Sequence, residues 1–245
     1  MAFIRPYKPT DWDDMSHICR ATLPPSLDAS EISKRLSPYL WTHPYPLLSP
    51  QSCFILDDGA GRAVGYVIGH ADVRRMAQDY TAYTELVGGT STDIPGVLPA
   101  SLATARREVG PCPAQLDVLE PWNFPADPDS SSPYPPVNET CLLQQAYNPR
   151  WLLLESAKTE LKAKVVEAYP AIMHIDLLPS HQAAGWGRKM INAFLQAIAA
   201  EGARGLHIGI SGENTKVVAF YERCGFRVEP GGEIEGGVWM VRDVE

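Results

Sequence analysis

The chain has 245 residues, of which 45% are hydrophobic and 20% are charged, a composition typical of a globular domain that buries its core without disulfides or metals. Its 21 lysine and arginine residues against 29 aspartate and glutamate residues give a formal net charge of −8. Because nucleic-acid affinity comes largely from cationic side chains that release counterions, this balance argues against a nucleic-acid partner.

The cysteines and the apolar runs indicate the cellular compartment of the protein. The five cysteines contain no Cys-x-x-Cys pair, so they favour neither a disulfide framework nor a zinc site. We expect reduced thiols, no bound metal, and a cytoplasmic or nuclear location. No run approaches the ~18 apolar residues of a membrane span, and polar residues follow Ile4 too early for a signal peptide. We therefore expect no contact with a membrane.

Residues 1–70 predict short strands alternating with helices. The hydrophobic pattern places a strand over 3–7, helices over about 11–22 and 28–41, and a hairpin over 52–70. The second hairpin strand, Ala63–Gly69, is apolar on both faces and is therefore expected at the centre of a sheet.

The sequence pattern predicts a long insertion over residues 71–150. A helix near 71–86 precedes chain that we expect to be irregular, and 140–147 has no clear preference. Six prolines between 121 and 136 exclude a regular helix or an inner strand there. Aromatic residues among the prolines favour an ordered flap on the acceptor side of the sheet over a free linker. These aromatics are Trp122, Phe124, Tyr134 and Tyr147.

The third zone, 151–245, has the most regular pattern and completes a single predicted α/β domain. It begins with an amphipathic helix that ends near Pro170. Strands over 171–178 and 206–210 alternate with helices over 185–201 and 213–224, and a hairpin over 226–241 closes the chain. The inward face of the amphipathic helix is expected to carry Leu154, Ala157, Leu161, Val165 and Ala168.

One loop in this zone has the features of a phosphate site. A strand turns at Pro179, and a glycine-bearing loop then opens a helix, which presents backbone N–H groups and the positive end of the helix dipole. Gly185 and Gly187 would let backbone approach a ligand closely. The loop lacks both the Walker A ending and the third glycine of the dinucleotide fingerprint. From the glycine spacing alone, a phosphate site and an ordinary helix start remain equally open.

Two motifs together resemble the GNAT superfamily of acetyl-CoA-dependent N-acyltransferases. Gln182-Ala-Ala-Gly-Trp-Gly187 resembles its Gln/Arg-x-x-Gly-x-Gly/Ala signature, and Asn214, Ala219-Phe-Tyr221 and Gly225-Phe226 resemble its second motif. The resemblance implies a mixed, mostly antiparallel sheet with helices on both faces and a long insertion before the fourth strand. Tyr169-Pro-Ala and His174–Pro179 are also similar to the acetyltransferase-like domain of O-GlcNAcase and its free-standing microbial relatives, some of which are suspected pseudo-enzymes.

The resemblance also implies a role for each motif residue. Acetyl-CoA would be the acyl donor, with its pantetheine along Ile175, Asp176 and Leu177. Tyr221 would protonate the departing thiolate. Other cofactor contacts would come from Asn214 and from the loop, whose residues are Gln182, Ala183, Ala184, Gly185, Trp186, Gly187 and Arg188.

The general base is less clear. One GNAT branch has a glutamate on the fifth strand where this chain has Gly209. Asp176 on the fourth strand is the best remaining carboxylate, although it could equally be a buried acid bonded to main chain, and His174 and His207 are weaker alternatives. The leading hypothesis is a direct N-acetyltransferase for a primary amine, either a small molecule or a protein lysine. The alternative is a catalytically silent acetyl-CoA sensor or interaction module.

Overall fold

The computed structural model describes residues 1–126, 128, 131–155, 159–234 and 236–245. Seven strands form one sheet in the order β1-β2-β3-β4-β5-β7-β6. Every neighbouring pair is antiparallel except β4–β5, which is parallel. The strands are β1 Phe3–Pro6, β2 Phe54–Asp57, β3 Ala63–His70, β4 Ala171–Leu177, β5 Gly205–Ser211, β6 Arg227–Ile234 and β7 Gly237–Asp243. The predicted mixed, mostly antiparallel sheet is confirmed.

Helices cover both faces of the sheet. They are α1 Trp12–Ala21, α2 Pro25–Asp28, α3 Glu31–Trp41, α4 Pro44–Leu48, α5 Val73–Gln78, α6 Thr81–Gly88, α7 Pro99–Val109, α8 Glu139–Tyr147, α9 Thr159–Ala168, α10 Trp186–Ala200 and α11 Val218–Arg223. Short 3₁₀ helices lie at Pro9–Asp11, Pro50–Ser52, Pro179–His181 and Gly212–Val217, and a π-helical turn at Arg150–Leu154. Within the described ranges, no helix is both long and apolar enough to cross a membrane.

The alternation of side chains along the strands divides the core into two clusters. On one face, Val67 and Met173 pack with the apolar side of α10. On the other face, Tyr66, Ile68 and Ile172 pack with α1, α3 and the helices of the insertion. β3 is buried along its whole length because both of its faces are covered, as its continuous apolar sequence predicts.

The junction between β4 and β5 positions the functional site. These two strands pair through Ala171 with Leu206 and through Ile172 with His207, and then they diverge. On its other side β4 stays paired with β3 from Ile172 to Leu177. A gap therefore opens in the middle of the sheet, beside the C-terminal half of β4.

The insertion is more regular than the sequence predicts. The single helix expected near 71–86 is two helices, α5 and α6, and the chain expected to be irregular contains α7. Leu102, Ala105 and Val109 of α7 are buried in the same cluster as β3. The prediction of irregular chain was wrong for 99–109, because the small and apolar residues of α7 are ordered by packing against α3 and α6 and not by a strong local pattern.

The buried face of α9 also differs from the prediction. Its buried side chains are Lys162, Val165 and Val166, whereas Ala168 is exposed. Leu154 lies in the preceding π-helical turn, and Ala157 falls outside the described residues. The helix is rotated relative to the expected apolar stripe, and this rotation turns a lysine inward.

The helix predicted over 213–224 is likewise divided. A 3₁₀ segment, Gly212–Val217, precedes α11, and Asn214 within it is non-helical with φ −123° and ψ 24°. The helix cap is Ser211, whose side chain accepts a hydrogen bond from the Glu213 N–H. The Asn214 side chain therefore takes no part in capping this segment.

Candidate active site

The glycine-bearing loop has the backbone geometry of an anion site. Ala183 and Gly185 both have left-handed backbones, with φ 61° and 78°, and Gly185 is the N-cap of the 15-residue α10. In the described structure, no N–H group from Ala183 to Arg188 donates to a backbone carbonyl or a side chain. A free row of donors at the positive end of a helix suits a phosphate.

The two glycines of the motif are required for different reasons. A Cβ on Gly185 would meet nothing within 4 Å, so its need is conformational. A Cβ on Gly187 would lie 2.9 Å from Cζ of Phe220. Gly187 is thus needed for the close approach of α10 to α11, a contact that the sequence motif alone does not reveal.

The side chains that flank the loop make contacts within the protein. Gln182 donates from Nε2 to the Leu177 carbonyl at 2.8 Å, which ties the loop to the end of β4. Arg188 donates from Nη2 to the Arg223 carbonyl at 3.3 Å, at the end of α11. Lys189 lies over the Trp186 ring, 4.5 Å from its centre. These side chains hold the loop in place and leave its N–H groups open.

A cleft of about 140 Å³ occupies the gap between β4 and β5. It brings together residues that are up to 48 positions apart in the sequence, because it lies where the two strands diverge. Its lining residues are Met173, His174, Ile175, Asp176, Ile208, Gly209, Ile210, Ser211, Asn214, Val217 and Tyr221. Of the predicted site residues, Ile175, Asp176, Asn214 and Tyr221 all line this cleft.

Tyr221 presents a hydrogen-bond donor to the cleft. Its ring packs edge-on against Phe220 and Phe226, with centres 5.2 and 5.4 Å apart. Its hydroxyl has no hydrogen-bond partner among the described residues. Burial, and next the nearby negative charge of Asp176, raise the pKa of Tyr221, so the hydroxyl keeps its proton at neutral pH.

Within the described ranges, Asp176 is held by a side chain and not by main chain. Tyr66 donates its hydroxyl to Oδ2 of Asp176 at 2.6 Å, and the Tyr66 hydroxyl also lies 3.2 Å from Oγ1 of Thr42. Burial raises the pKa of Asp176, and the Tyr66 hydrogen bond opposes this rise. Tyr66 was not singled out from the sequence, because its apolar strand predicts only a core position.

The two histidines considered as bases, on β4 and β5, are neutral. Nε2 of His174 lies 3.0 Å from the Tyr45 hydroxyl, and burial lowers the pKa of His174 to about 4. Nδ1 of His207 lies 2.6 Å from the Tyr169 carbonyl, and burial lowers the pKa of His207 to about 3. Groups with such low pKa values are weak proton acceptors near neutral pH.

Asn214 and Gly209 complete the cleft. No hydrogen bond ties the Asn214 side chain to the described part of the chain, which leaves its amide available to a ligand. Gly209 faces the Trp239 ring, whose Cζ3 would lie 3.4 Å from a Cβ at position 209. A side chain at position 209 would therefore begin in ordinary van der Waals contact with this ring.

Comparison with known proteins supports acyl transfer as the chemistry of this site. Residues 156–226 match the model of the acetyltransferase (GNAT) family, a segment that contains β4, the loop, β5 and Tyr221. The chain is 28% identical to SsHAT, whose crystal structure superposes with a TM-score of 0.65 over 100% of this chain and 98% of that chain. The chain has the GNAT fold, and proteins of this family use acetyl-CoA as the acyl donor.

A second solved structure shares the fold at low sequence identity. It is the PaiA N-acetyltransferase from Thermoplasma acidophilum in complex with coenzyme A, 8% identical to this chain. The TM-score is 0.50, and the alignment covers 99% of each chain. At this identity the similarity shows the common fold alone.

Proposed function

We propose that this protein is an acetyl-CoA-dependent N-acetyltransferase that transfers the acetyl group directly to a primary amine. The observation that carries the proposal is the cleft between β4 and β5, into which Tyr221 presents a hydroxyl with no partner in the described structure. The GNAT-family match over residues 156–226 supports acetyl-CoA as the donor.

The cofactor would be bound mainly by backbone. Where β4 has left β5, Ile175, Asp176 and Leu177 have no strand partner on that side, and pantetheine could add there as an extra strand does. The pyrophosphate would accept hydrogen bonds from the N–H groups between Ala183 and Arg188. The Asn214 amide, which faces the same cleft, would contact the cofactor near the thioester.

The transfer needs one proton acceptor and one proton donor. The amine nitrogen attacks the thioester carbonyl carbon, the new N–C bond forms, and the C–S bond breaks. In the proposed mechanism Asp176 takes the proton that the amine loses, and its raised pKa suits that task. Tyr221 gives its proton to the coenzyme A thiolate as it leaves.

One observation favours a second function. Because Gly209 stands where one GNAT branch has a glutamate, the protein could bind acetyl-CoA without turning it over and act as a sensor or interaction module.

We also propose kinship with the acetyltransferase-like domain of O-GlcNAcase, on the strength of Tyr169-Pro-Ala and His174–Pro179.

A binding measurement and a turnover measurement together test the proposal. Acetyl-CoA should raise the Tm of the protein, because it binds the folded state. Gly187→Val should abolish this shift by forcing the loop away from Phe220, whereas Asn192→Val, at an exposed position of the same helix, should preserve it. A shift that survives Gly187→Val would show that the phosphates bind elsewhere.

Release of free thiol in the presence of amines then separates the two functions. An enzyme should release coenzyme A with at least one member of a broad amine panel. Binding of acetyl-CoA with no thiol released by any amine would favour the sensor.

A further inference from the structure

A second cavity lies at the opposite end of β4 and β5 from the cleft. Its volume is about 570 Å³, within the range of roughly 300–1,000 Å³ that is usual for small-molecule sites. Its walls include Glu167 and Pro170, just before β4, and Arg204, just before β5. From Ala171 to Asp176, β4 extends by about 16 Å. A molecule in this cavity would therefore be separate from the reacting groups of the proposed acetyl transfer.

His70, at the end of β3, forms one wall of this cavity. The residue is only 6% exposed, and its Nδ1 accepts a hydrogen bond from the Asp72 N–H at 2.9 Å. Burial lowers the pKa of His70, so the ring is neutral near pH 7 and carries its proton on Nε2. Nε2 has no hydrogen-bond partner in the described ranges, and it is not fully enclosed by protein atoms. This N–H is therefore a donor that is open to a ligand in the cavity.

The cavity also carries charges of both signs that do not pair with each other. The charged lining side chains without an ion-pair partner in the described chain are Asp72, Glu167, Glu201 and Arg204. The Glu201 carboxylate accepts hydrogen bonds from the neutral side chains of Ser52 and Gln51, so its charge is not cancelled. Opposite charges that line one cavity without pairing fit a molecule that itself carries both signs of charge.

The balance of charge on the walls is negative. Four carboxylates and two guanidinium groups line the cavity, and one of each belongs to the pair of Arg75 and Asp79, which are 3.9 Å apart. The unpaired groups are therefore three carboxylates, the Arg204 guanidinium and the N–H of His70. A ligand that complements them carries more positive than negative charge.

These groups distinguish between classes of ligand. A simple anion would leave the three carboxylates without a partner, and a diamine would leave Arg204 and the His70 N–H without one. Across the described part of the chain, no three His, Cys, Asp or Glu side chains are grouped so that they could hold a metal ion. A molecule with one carboxylate and two positive groups complements the whole set, because charged groups form the strongest hydrogen bonds with partners of opposite charge.

We propose that this cavity binds a small basic amino carboxylate, of the chemical class of arginine and lysine. The carboxylate of the ligand would accept hydrogen bonds from Arg204 and from Nε2 of His70. Its two positive groups would pair with the carboxylates of Asp72, Glu167 and Glu201. The site does not depend on the proposed acetyl transfer, since no residue lines both this cavity and the cleft.

Matched sets of free amino acids test the charge requirement. Isothermal titration calorimetry on the full chain would compare arginine with citrulline, which lacks the positive side chain, and with argininamide, which lacks the carboxylate. Lysine, norleucine and lysinamide form a second set. In at least one set the parent amino acid should bind about ten-fold or more tightly than either analogue, the effect of one charge-assisted hydrogen bond. No binding of either parent, or equal Kd values within both sets, would overturn the proposal.

Variants of the cavity assign the two ends of the ligand. Arg204→Gln, at an exposed position, should bring the Kd ratio between the carboxamide and its parent to about one. Glu167→Gln, also exposed, should reduce the preference over the neutral analogue. The matched controls are Arg74→Gln and Glu160→Gln, which are exposed and lie outside the cavity, and they should leave every Kd unchanged. If both preferences survived both cavity variants, the ligand would bind elsewhere.

His70→Asn tests the buried donor. The asparagine side-chain oxygen can still accept a hydrogen bond from the N–H two residues on, as in an Asx turn, while the Nε2 donor is lost. This variant should bind the parent amino acid more weakly and the carboxamide about as before. If its melting shows that it does not fold, Arg204→Gln decides the same question at an exposed position.

Asp176→Asn separates this cavity from the cleft. Because Asp176 lines the cleft and not the second cavity, this change should leave the Kd of the amino acid unchanged. A Kd that rises in Asp176→Asn and stays constant in Arg204→Gln would place the amino acid in the cleft and overturn the proposal.

Discussion

At the scale of single residues, the Tyr221 hydroxyl is the test of the proposed chemistry. Tyr221→Phe keeps the edge-on contacts with Phe220 and Phe226 and removes the proton donor alone. We expect kcat to fall by roughly ten- to ten-thousand-fold, the range of general acid–base catalysis, while the Kd of acetyl-CoA changes little. Steady-state thiol release and a thermal-shift titration measure the two quantities. An undiminished kcat would exclude Tyr221 as the acid.

A second prediction at this scale concerns Asp176 and the pH dependence of the reaction. The acidic limb of kcat/KM reports protonation of the essential base in the free enzyme, so Asp176→Asn should flatten it. Tyr66→Phe removes the larger of the two hydrogen-bond effects, from Tyr66 and Thr22, that oppose the rise in the pKa of Asp176, and it should move the limb to higher pH. If Tyr66→Phe left the limb where it is in the wild type, a group other than Asp176 would be the base.

At the scale of elements, the insertion is part of the core. Deleting 88–138 would remove Leu102, Ala105 and Val109, which are buried, and Glu108, whose carboxylate lies 2.6 Å from Arg20 and 2.8 Å from the Tyr39 hydroxyl. Each large buried side chain stabilises a domain by about 2–5 kcal/mol, against a total of about 5–15 kcal/mol. We therefore expect this deletion to abolish cooperative unfolding.

The control for the deletion is a small replacement in the same segment. A Gly-Ser linker in place of residues 111–114, which are mostly exposed, should melt as the wild type does. A cooperative melt from the 88–138 deletion would show that the insertion is dispensable, as expected of a flap.

The elements also show what the sequence can predict and what it cannot. The strands and α10 lie within a few residues of their predicted bounds, because alternation and helical spacing are local properties that burial reinforces. The loop and Tyr221 could be proposed because their motifs are contiguous, and Asp176 because it is the carboxylate on β4 that remains once position 209 is a glycine. Lys162 and α7 could not, since one buries a charge and the other is ordered by tertiary packing that outweighs local preference.

At the scale of the whole molecule, buried neutral histidines link stability to pH. Burial lowers the pKa values of His174, His207 and His43, the last stacked on Trp12 at 3.7 Å. Between about pH 6.5 and 4 the unfolded chain binds protons that the folded chain does not. The free energy of unfolding should therefore fall as the pH falls, by up to about 1.4 kcal/mol per pH unit for each histidine. The raised pKa of Asp176 opposes this fall at the acidic end.

Denaturant unfolding between pH 7 and 4 measures this dependence. His207→Gln should reduce the slope, because one titrating group is lost, whereas His17→Gln, at an exposed position, should not. Stability that stays constant down to pH 4 would mean that these histidines are protonated in the folded protein.

The two residue pairs that join β4 to β5 have a consequence for the rigidity of the sheet. They divide it into a four-stranded part and a three-stranded part that are joined by a short stretch of paired backbone. A ligand that adds beside β4 as an extra strand would extend this hydrogen-bonded connection and join the two parts of the sheet where they separate. Occupancy of the cleft would then determine the stiffness of the whole sheet as well as the reaction within it.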